Sequence, residues 1–290
     1  MKTRSLLMLF TALLAWVLAG CTSAPATPDA AAAAAEAFLQ SRTAGHASAM
    51  HGLLTAKARE SMTVSDISRF IRHETFTFGA LGAPMTMAEN WVQVPVSDYR
   101  VMAAGQETRW PEARLTLVYE ENRWRVAWTE PLAAKARQAY DNSQFTEELE
   151  LARAIGQINP YAFQAALERH FAYRGLKRVR EAEAEILRAR ELAAPYETPV
   201  VEDAFARFKL SLNQPRDAAA LAAGALEKAA PYVPGLYSYR WQADTLAVLG
   251  RALLAQGDRA GAEDAVTRAL AADPGNASAL VLQRVLVSGS

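Results

Sequence analysis

The chain has 290 residues, with 31 Lys plus Arg against 31 Asp plus Glu, so its formal net charge is zero. No bulk positive field exists to attract nucleic acid, which excludes a polyanion binder that works by charge. Hydrophobic residues make up 51% of the chain and support folded cores, while the single cysteine, Cys21, excludes an intramolecular disulfide and a cysteine-built metal cluster.

The N-terminus carries Lys2 and Arg4, then an apolar stretch from Leu6 to Leu18 interrupted only by Thr11. A charged start, a short apolar core and small residues before a cut make a secretory signal over residues 1–20. The apolar run falls short of the roughly 20 residues a membrane span needs. It ends in Leu18-Ala19-Gly20-Cys21, which resembles the lipobox of bacterial lipoproteins. The resemblance implies a diacylglyceryl group on the Cys21 sulfur, cleavage before Cys21, and acylation, as with palmitate, of the new amino group. Two or three acyl chains anchor a protein stably where one does not. Thr22 follows the cysteine rather than an aspartate, and the resemblance then implies the outer membrane, facing the periplasm. About 270 residues remain after the cut, enough for one or two domains. Residues 21–29 read as a lipidated tether, because Thr22 to Pro28 is built of small residues and proline.

Residues 30–131 mix helical and strand patterns. Ala31 to Thr43 reads as a helix with Phe38 and Leu39 on its apolar side. His46 to Ala58 reads as a second, with Met50, Leu53 and Leu54 on one face, and Ser65 to about His73 as a third. Gly79, Gly82 and Pro84 break the pattern. Strands are expected over Trp91 to Val96, Tyr99 to Met102, Arg114 to Tyr119 and Arg123 to Trp128. Pro95 suggests an edge or bulge. Trp124, Val126 and Trp128 alternate with Arg123 and Arg125, which predicts a half-buried strand with one wet face. Glu120-Glu121-Asn122 links the last two strands as a hairpin turn.

Helices followed by a meander, closing in Leu115-Thr116-Leu117-Val118-Tyr119-Glu120-Glu121-Asn122-Arg123-Trp124-Arg125-Val126, resemble the NTF2-like fold. That resemblance implies an α+β cone of helices on a curved antiparallel sheet, whose cavity is a ligand or active site in some members and packed in others. Candidate acids and bases are His46, His51, His73, Asp66 and Asp98. The histidines read more simply as surface groups and Asp98 as a turn residue.

From residue 132 to 290 the chain reads as all-α, with Pro131 at the change. Leu246, Leu249, Gly250 and Leu253 fall on one helix and Ala262, Val266 and Ala269 on the next, with Gln256-Gly257-Asp258 between them and Pro274 closing the unit. The unit resembles a tetratricopeptide (TPR) repeat. Gly250 and Ala262 would let the two helices approach closely. Degenerate hairpins are expected from Ala133 to Tyr140 with Gln144 to Gln157, Tyr161 to Tyr173 with Lys177 to Ala193, and Val200 to Leu212 with Arg216 to Ala229. Ala277 to Val287 would cap a short α-solenoid. Arg169, Arg174, Lys177, Arg178 and Arg180 form a basic cluster followed by Glu181, Glu183, Glu185 and Glu191, the pattern of a solvated face with helix-spaced ion pairs. Tyr232, Tyr237, Tyr239 and Trp241 suit inter-repeat packing or peptide recognition.

There is no phosphate loop, no His-Glu-x-x-His motif and no Gly-x-Ser-x-Gly elbow, so the sequence calls for no cofactor, no metal and no catalytic set. The expected function is a non-enzymatic, membrane-anchored adaptor that binds an envelope protein through its repeats. Its candidate partner-binding residues are Arg207, Tyr239, Arg240, Trp241, Asp244 and Arg251. The alternative is a ligand-binding or catalytic cone with the repeats as a docking arm. An open cavity with convergent polar groups would favour the alternative.

Overall fold

The computed structural model describes residues 27–288 apart from Ala104. The signal segment, the lipobox and Cys21 lie outside the described residues.

Helix α1 (Pro28–Thr43) starts where Thr27 caps it: the Thr27 side chain accepts from the Ala30 N–H, and Pro28 supplies the preset φ of a first turn. Its buried face is Ala31, Ala35, Phe38, Leu39 and Arg42. The stretch expected as one helix from His46 to Ala58 is two, α2 (Ala47–Leu53) and α3 (Ala56–Ser61). Leu54 is extended because it bridges to Val126, and Thr55 donates its N–H to the Val126 carbonyl at 3.1 Å. The Thr55 hydroxyl then accepts from the Ala58 N–H and restarts the helix. Helix α4 (Val64–Ile71) opens with a capping box between Thr63 and Asp66. It ends before His73, which lies in an exposed turn rather than on the helix.

Five strands follow: β1 (Glu74–Thr77), β2 (Met85–Ala88), β3 (Trp91–Ala103), β4 (Gln106–Glu120) and β5 (Arg123–Val126). They form a curled antiparallel sheet, a half-barrel, in the order β1-β3-β4-β5, with β2 also paired to β3. Strand β3 runs unbroken through the gap expected between Val96 and Tyr99. Asp98 is therefore mid-strand rather than in a turn, at φ 49° opposite Pro111, whose ring nitrogen has no hydrogen to give the ladder. Pro95 is tolerated inside the sheet because β1 and β2 leave a gap there, where its carbonyl accepts from the Gly82 N–H at 2.8 Å. The β4–β5 turn holds Glu121 and Asn122 at φ 51° and 61°, the left-handed pair of a tight hairpin. Arg125 corrects the expected wet face. It is 2% exposed, because its guanidinium crosses to α2 and donates to the Gly52 carbonyl, with Glu121 3.3 Å away on the other side.

Helices α5 (Glu130–Asp141) to α13 (Ala277–Ser288) complete the described chain. They pair as α5 with α6 (Phe145–Ile158), α7 (Phe163–Gly175) with α8 (Val179–Leu192), α9 (Thr198–Ser211) with α10 (Pro215–Ala229), and α11 (Tyr239–Ala255) with α12 (Arg259–Ala272). All four hairpins share one turn. Ser143, Lys177, Asn213 and Gly257 each sit at positive φ. The next residue in each case donates its N–H five positions back: Gln144 to Ala139, Arg178 to Tyr173, Gln214 to Lys209 and Asp258 to Leu253. This left-handed C-cap satisfies helix-end carbonyls and reverses the chain identically each time. First helices adjoin across units, α5 on α7, α9 on α11 and α11 on α13.

The largest core cluster joins α1, α2, α4 and the sheet to Ala136, Ile155, Ile158, Ala162 and Ala165 of the first helical units. Trp128 is at its centre, edge-on to Phe38 at 5.5 Å and to Phe70 at 5.7 Å. No described helix is long and apolar enough to cross a membrane.

Candidate functional site: a polar cavity beside a helical array

At the open end of the sheet, a cavity of about 370 Å³ lies between β1, β3, β4, the start of α5 and the loop before α9. Helix α1 sets its floor. Its buried positions recur at 31, 35, 38, 39 and 42, so the apolar stripe delivers Arg42 into the protein, 3% exposed. An unpaired guanidinium there would be costly. Arg42 Nη2 lies 3.1 Å from Glu74 Oε2 and 2.8 Å from Glu130 Oε2. Nη1 donates to Glu130 Oε1 at 3.0 Å and to the Tyr99 hydroxyl. Tyr99 in turn donates to Glu130 Oε1 at 2.7 Å. The Phe76, Tyr99 and Trp128 rings surround the cation at 4.5, 5.6 and 5.5 Å.

Burial acts first on every group of this cluster, and the neighbours decide the outcome. It would raise Glu130, but Arg42 overcomes it and holds that carboxyl below the usual range. Glu130 also begins α5, where the helix dipole favours a negative charge. Glu74 sits above its ordinary value because burial outweighs Arg42. Burial keeps Tyr99 a neutral phenol, and Arg42 stays charged. Across the cavity, burial lifts Glu197 to about 7, although its Oε2 accepts the Ala194 N–H at 2.8 Å. Glu130 keeps 41% of its side chain open, because it faces the cavity.

The acids and bases read from the sequence do not converge here. His46 is an exposed helix cap, the His51 ring is 3.1 Å from the Met62 carbonyl, and His73 is exposed. Asp66 pairs with Lys135 at 2.9 Å, and Asp98 with Arg100 at 2.7 Å and Arg109 at 2.8 Å. Tyr99, Arg114 and Trp128, read in the sequence only as strand residues, do line the cavity. Arg42, Glu74, Glu130 and Glu197 were not singled out. Arg42 had a local signal, a cation in register with an apolar helical stripe. Its partners, 32 and 88 positions away, had none.

The partner-binding candidates divide between two roles. Tyr239 is 54% exposed, and Arg240 and Arg251 are exposed on the same helix, α11. Trp241 is half-buried, 4.5 Å from the Tyr237 ring. Tyr237 is buried, and its hydroxyl donates to the Tyr196 carbonyl at 2.6 Å, so part of the aromatic run packs units together. Asp244 accepts from Asn276 Nδ2 at 2.6 Å, and Arg207 donates to Asp203 at 2.9 Å. Both therefore carry internal bonds. Arg240 and Asp244 face a groove against residues 272–278. Two of the five residues of the basic cluster are paired, Arg169 with Glu185 at 2.8 Å and Arg178 with Glu181 at 2.7 Å. A Cβ on Gly250 would come within 3.4 Å of the Ala262 carbonyl and 3.5 Å of the Ala265 Cβ, so those helices do approach closely.

No family model matches the chain, and no curated protein matches it. Among solved structures, it is similar to YrrB, described as a TPR protein with an unusual peptide-binding site. The identity is 15%, over 55% of this chain and 93% of that one, with a TM-score of 0.30. A likeness at that level transfers neither ligand nor site.

Proposed function

We propose that the chain is a non-enzymatic envelope lipoprotein, lipid-anchored through Cys21 in the outer membrane, that binds a protein partner on its helical array. The observation that carries this reading is the fourfold repetition of one hairpin turn, which sets first helices side by side and leaves Tyr239, Arg240 and Arg251 exposed on one of them. Stacked hairpins of this kind offer an extended binding surface. The Gly250–Ala262 approach and the hairpin spacing support a TPR-like array over residues 132–290. The curled sheet with α1 across it supports an NTF2-like cone over residues 30–131. The anchor rests on Leu18 to Cys21 alone. Mass spectrometry of the mature N-terminus tests it: Cys21 should carry lipid, and Cys21→Ser should leave the precursor uncut. An unmodified N-terminus elsewhere would remove the membrane from the account. Partner capture tests the array. Alanine at Tyr239, Arg240 and Arg251 together should abolish it with the fold intact.

One observation favours a second reading beside the first. The cavity is open and polar groups converge on it, the arrangement of a small-molecule site. On this reading the cone binds a ligand and the array a protein.

A further inference from the structure

The cavity is asymmetric in what it offers. Arg42 lies behind its partners: 1% of its side chain is open, against 16% for Glu74 and 41% for Glu130. Both Nη atoms of Arg42 are engaged by Glu74, Glu130 and Tyr99, and the Tyr99 hydroxyl hydrogen is given to Glu130. The exposed edge of this cluster is therefore carboxylate oxygen. Each carboxylate has about four lone-pair sites; Glu130 uses three on Arg42 and Tyr99 and also interacts with the Trp128 indole, while 41% of its side chain still faces the cavity. Glu197 adds a third carboxyl from the opposite wall. The other lining cation, Arg114, donates its Nε to Glu112 at 3.2 Å and also acts on Glu197, so it is shared between two carboxyls.

Much of the remaining wall is apolar and aromatic, including Trp110 and Trp128. A carboxylate ligand would face three carboxyl groups. A neutral apolar ligand would cover the open oxygens of Glu130 without replacing the water they bind, which costs free energy. A cation with an apolar body matches both parts, since aromatic faces attract cations as well as burying carbon.

We infer that the cavity binds a compact apolar amine in its protonated form, with the ammonium toward Glu130 and the carbon body against Trp110 and Trp128. The inference rests on reading the cavity as a ligand site. Its test is a calorimetric titration of the mature lipoprotein, detergent blank subtracted, with 2-phenylethylammonium, 2-phenylethanol and phenylacetate at pH 8. The ammonium should bind at least tenfold tighter than the other two. Glu130→Gln should lower its affinity at least tenfold and leave 2-phenylethanol unchanged. Because Glu130 also holds Arg42, Glu197→Gln serves as a second variant and should weaken the ammonium alone. Equal affinity for ammonium and alcohol, or tighter binding of phenylacetate, overturns the amine assignment but keeps a ligand site. Binding of none of the three at millimolar concentration overturns both.

Discussion

Glu130, at the cavity, lies between Arg42 and Tyr99 and is held charged below the usual carboxylate range. Glu148, on α6, is fully buried, and neither of its oxygens accepts from a nitrogen or hydroxyl donor among the described residues. Its neighbour is another carboxyl, Glu168 on α7, with which it can bond only when one of the two holds a proton. Burial therefore drives Glu148 up to about 8 and Glu168 to about 7, and Arg137 offsets it only in part. Depth alone does not set the charge of a carboxyl group. The bonded partner does: Arg42, hydrogen-bonded to Glu130, fixes its charge, whereas Arg137 acts on Glu148 without a hydrogen bond and leaves a proton stored inside the first hairpins.

Removing the cation should have the largest effect. Arg42→Met leaves Glu74 and Glu130 buried against each other, and breaking a buried pair this way costs about 3–5 kcal/mol. Chemical denaturation should find a loss of that size. A loss below about 1 kcal/mol would mean that the network is effectively solvated and that the contrast with Glu148 is one of degree.

In the array, space rather than charge is limiting. Gly250→Leu should lower the unfolding midpoint, since overpacking a close contact costs about 1–3 kcal/mol. The Gly250 position already has Leu282 Cδ2 within 3.0 Å of where a Cβ would sit. An unchanged midpoint would mean that α11 and α12 separate freely.

The stored proton gives a pH-dependent effect. The folded-state pKa of Glu148 is raised to about 8, so the folded form holds more protons than the unfolded one above the ordinary carboxylate range. The associated stability is fully present below about pH 4.5 and is lost as pH rises through about 8. Glu148→Gln keeps the neutral form at every pH. It should match the unaltered protein near pH 5 and exceed it near pH 9, by a margin that grows with pH. Parallel stability curves across that range would mean that Glu148 holds no extra proton in the folded state and would erase the comparison.

The smallest change is expected at the exposed face. Alanine at Tyr239, Arg240 and Arg251 together should shift stability by no more than about 0.5 kcal/mol per site. Asp244 and Arg207, both internally bonded, are poor choices for that test.

What could be read beforehand follows the range of each interaction. Gly250, Ala262 and the Gln256-Gly257-Asp258 turn act within one hairpin, so spacing alone located them. The turns at Ser143 and Asn213 fall in the expected gaps between helices, but the left-handed position there and at Lys177 carried no signal, because non-glycine residues hold it. The break at Leu54 and the burial of Arg125 both come from pairing across the fold, Leu54 with Val126 and Arg125 with Gly52. The cavity has the same origin, with Tyr99 and Glu130 lying 57 and 88 positions from Arg42. Periodicity reports which side of an element is buried, but not which distant group meets it there.

The central claim is that the exposed face of α11 receives a protein partner. A photo-crosslinking residue placed at Tyr239 or Arg251 of the full chain, and separately at Glu227 on α10 as a control, tests it in living cells. The account predicts one discrete adduct from positions 239 and 251, absent from position 227. No adduct from α11, or the same adducts from all three positions, would contradict it.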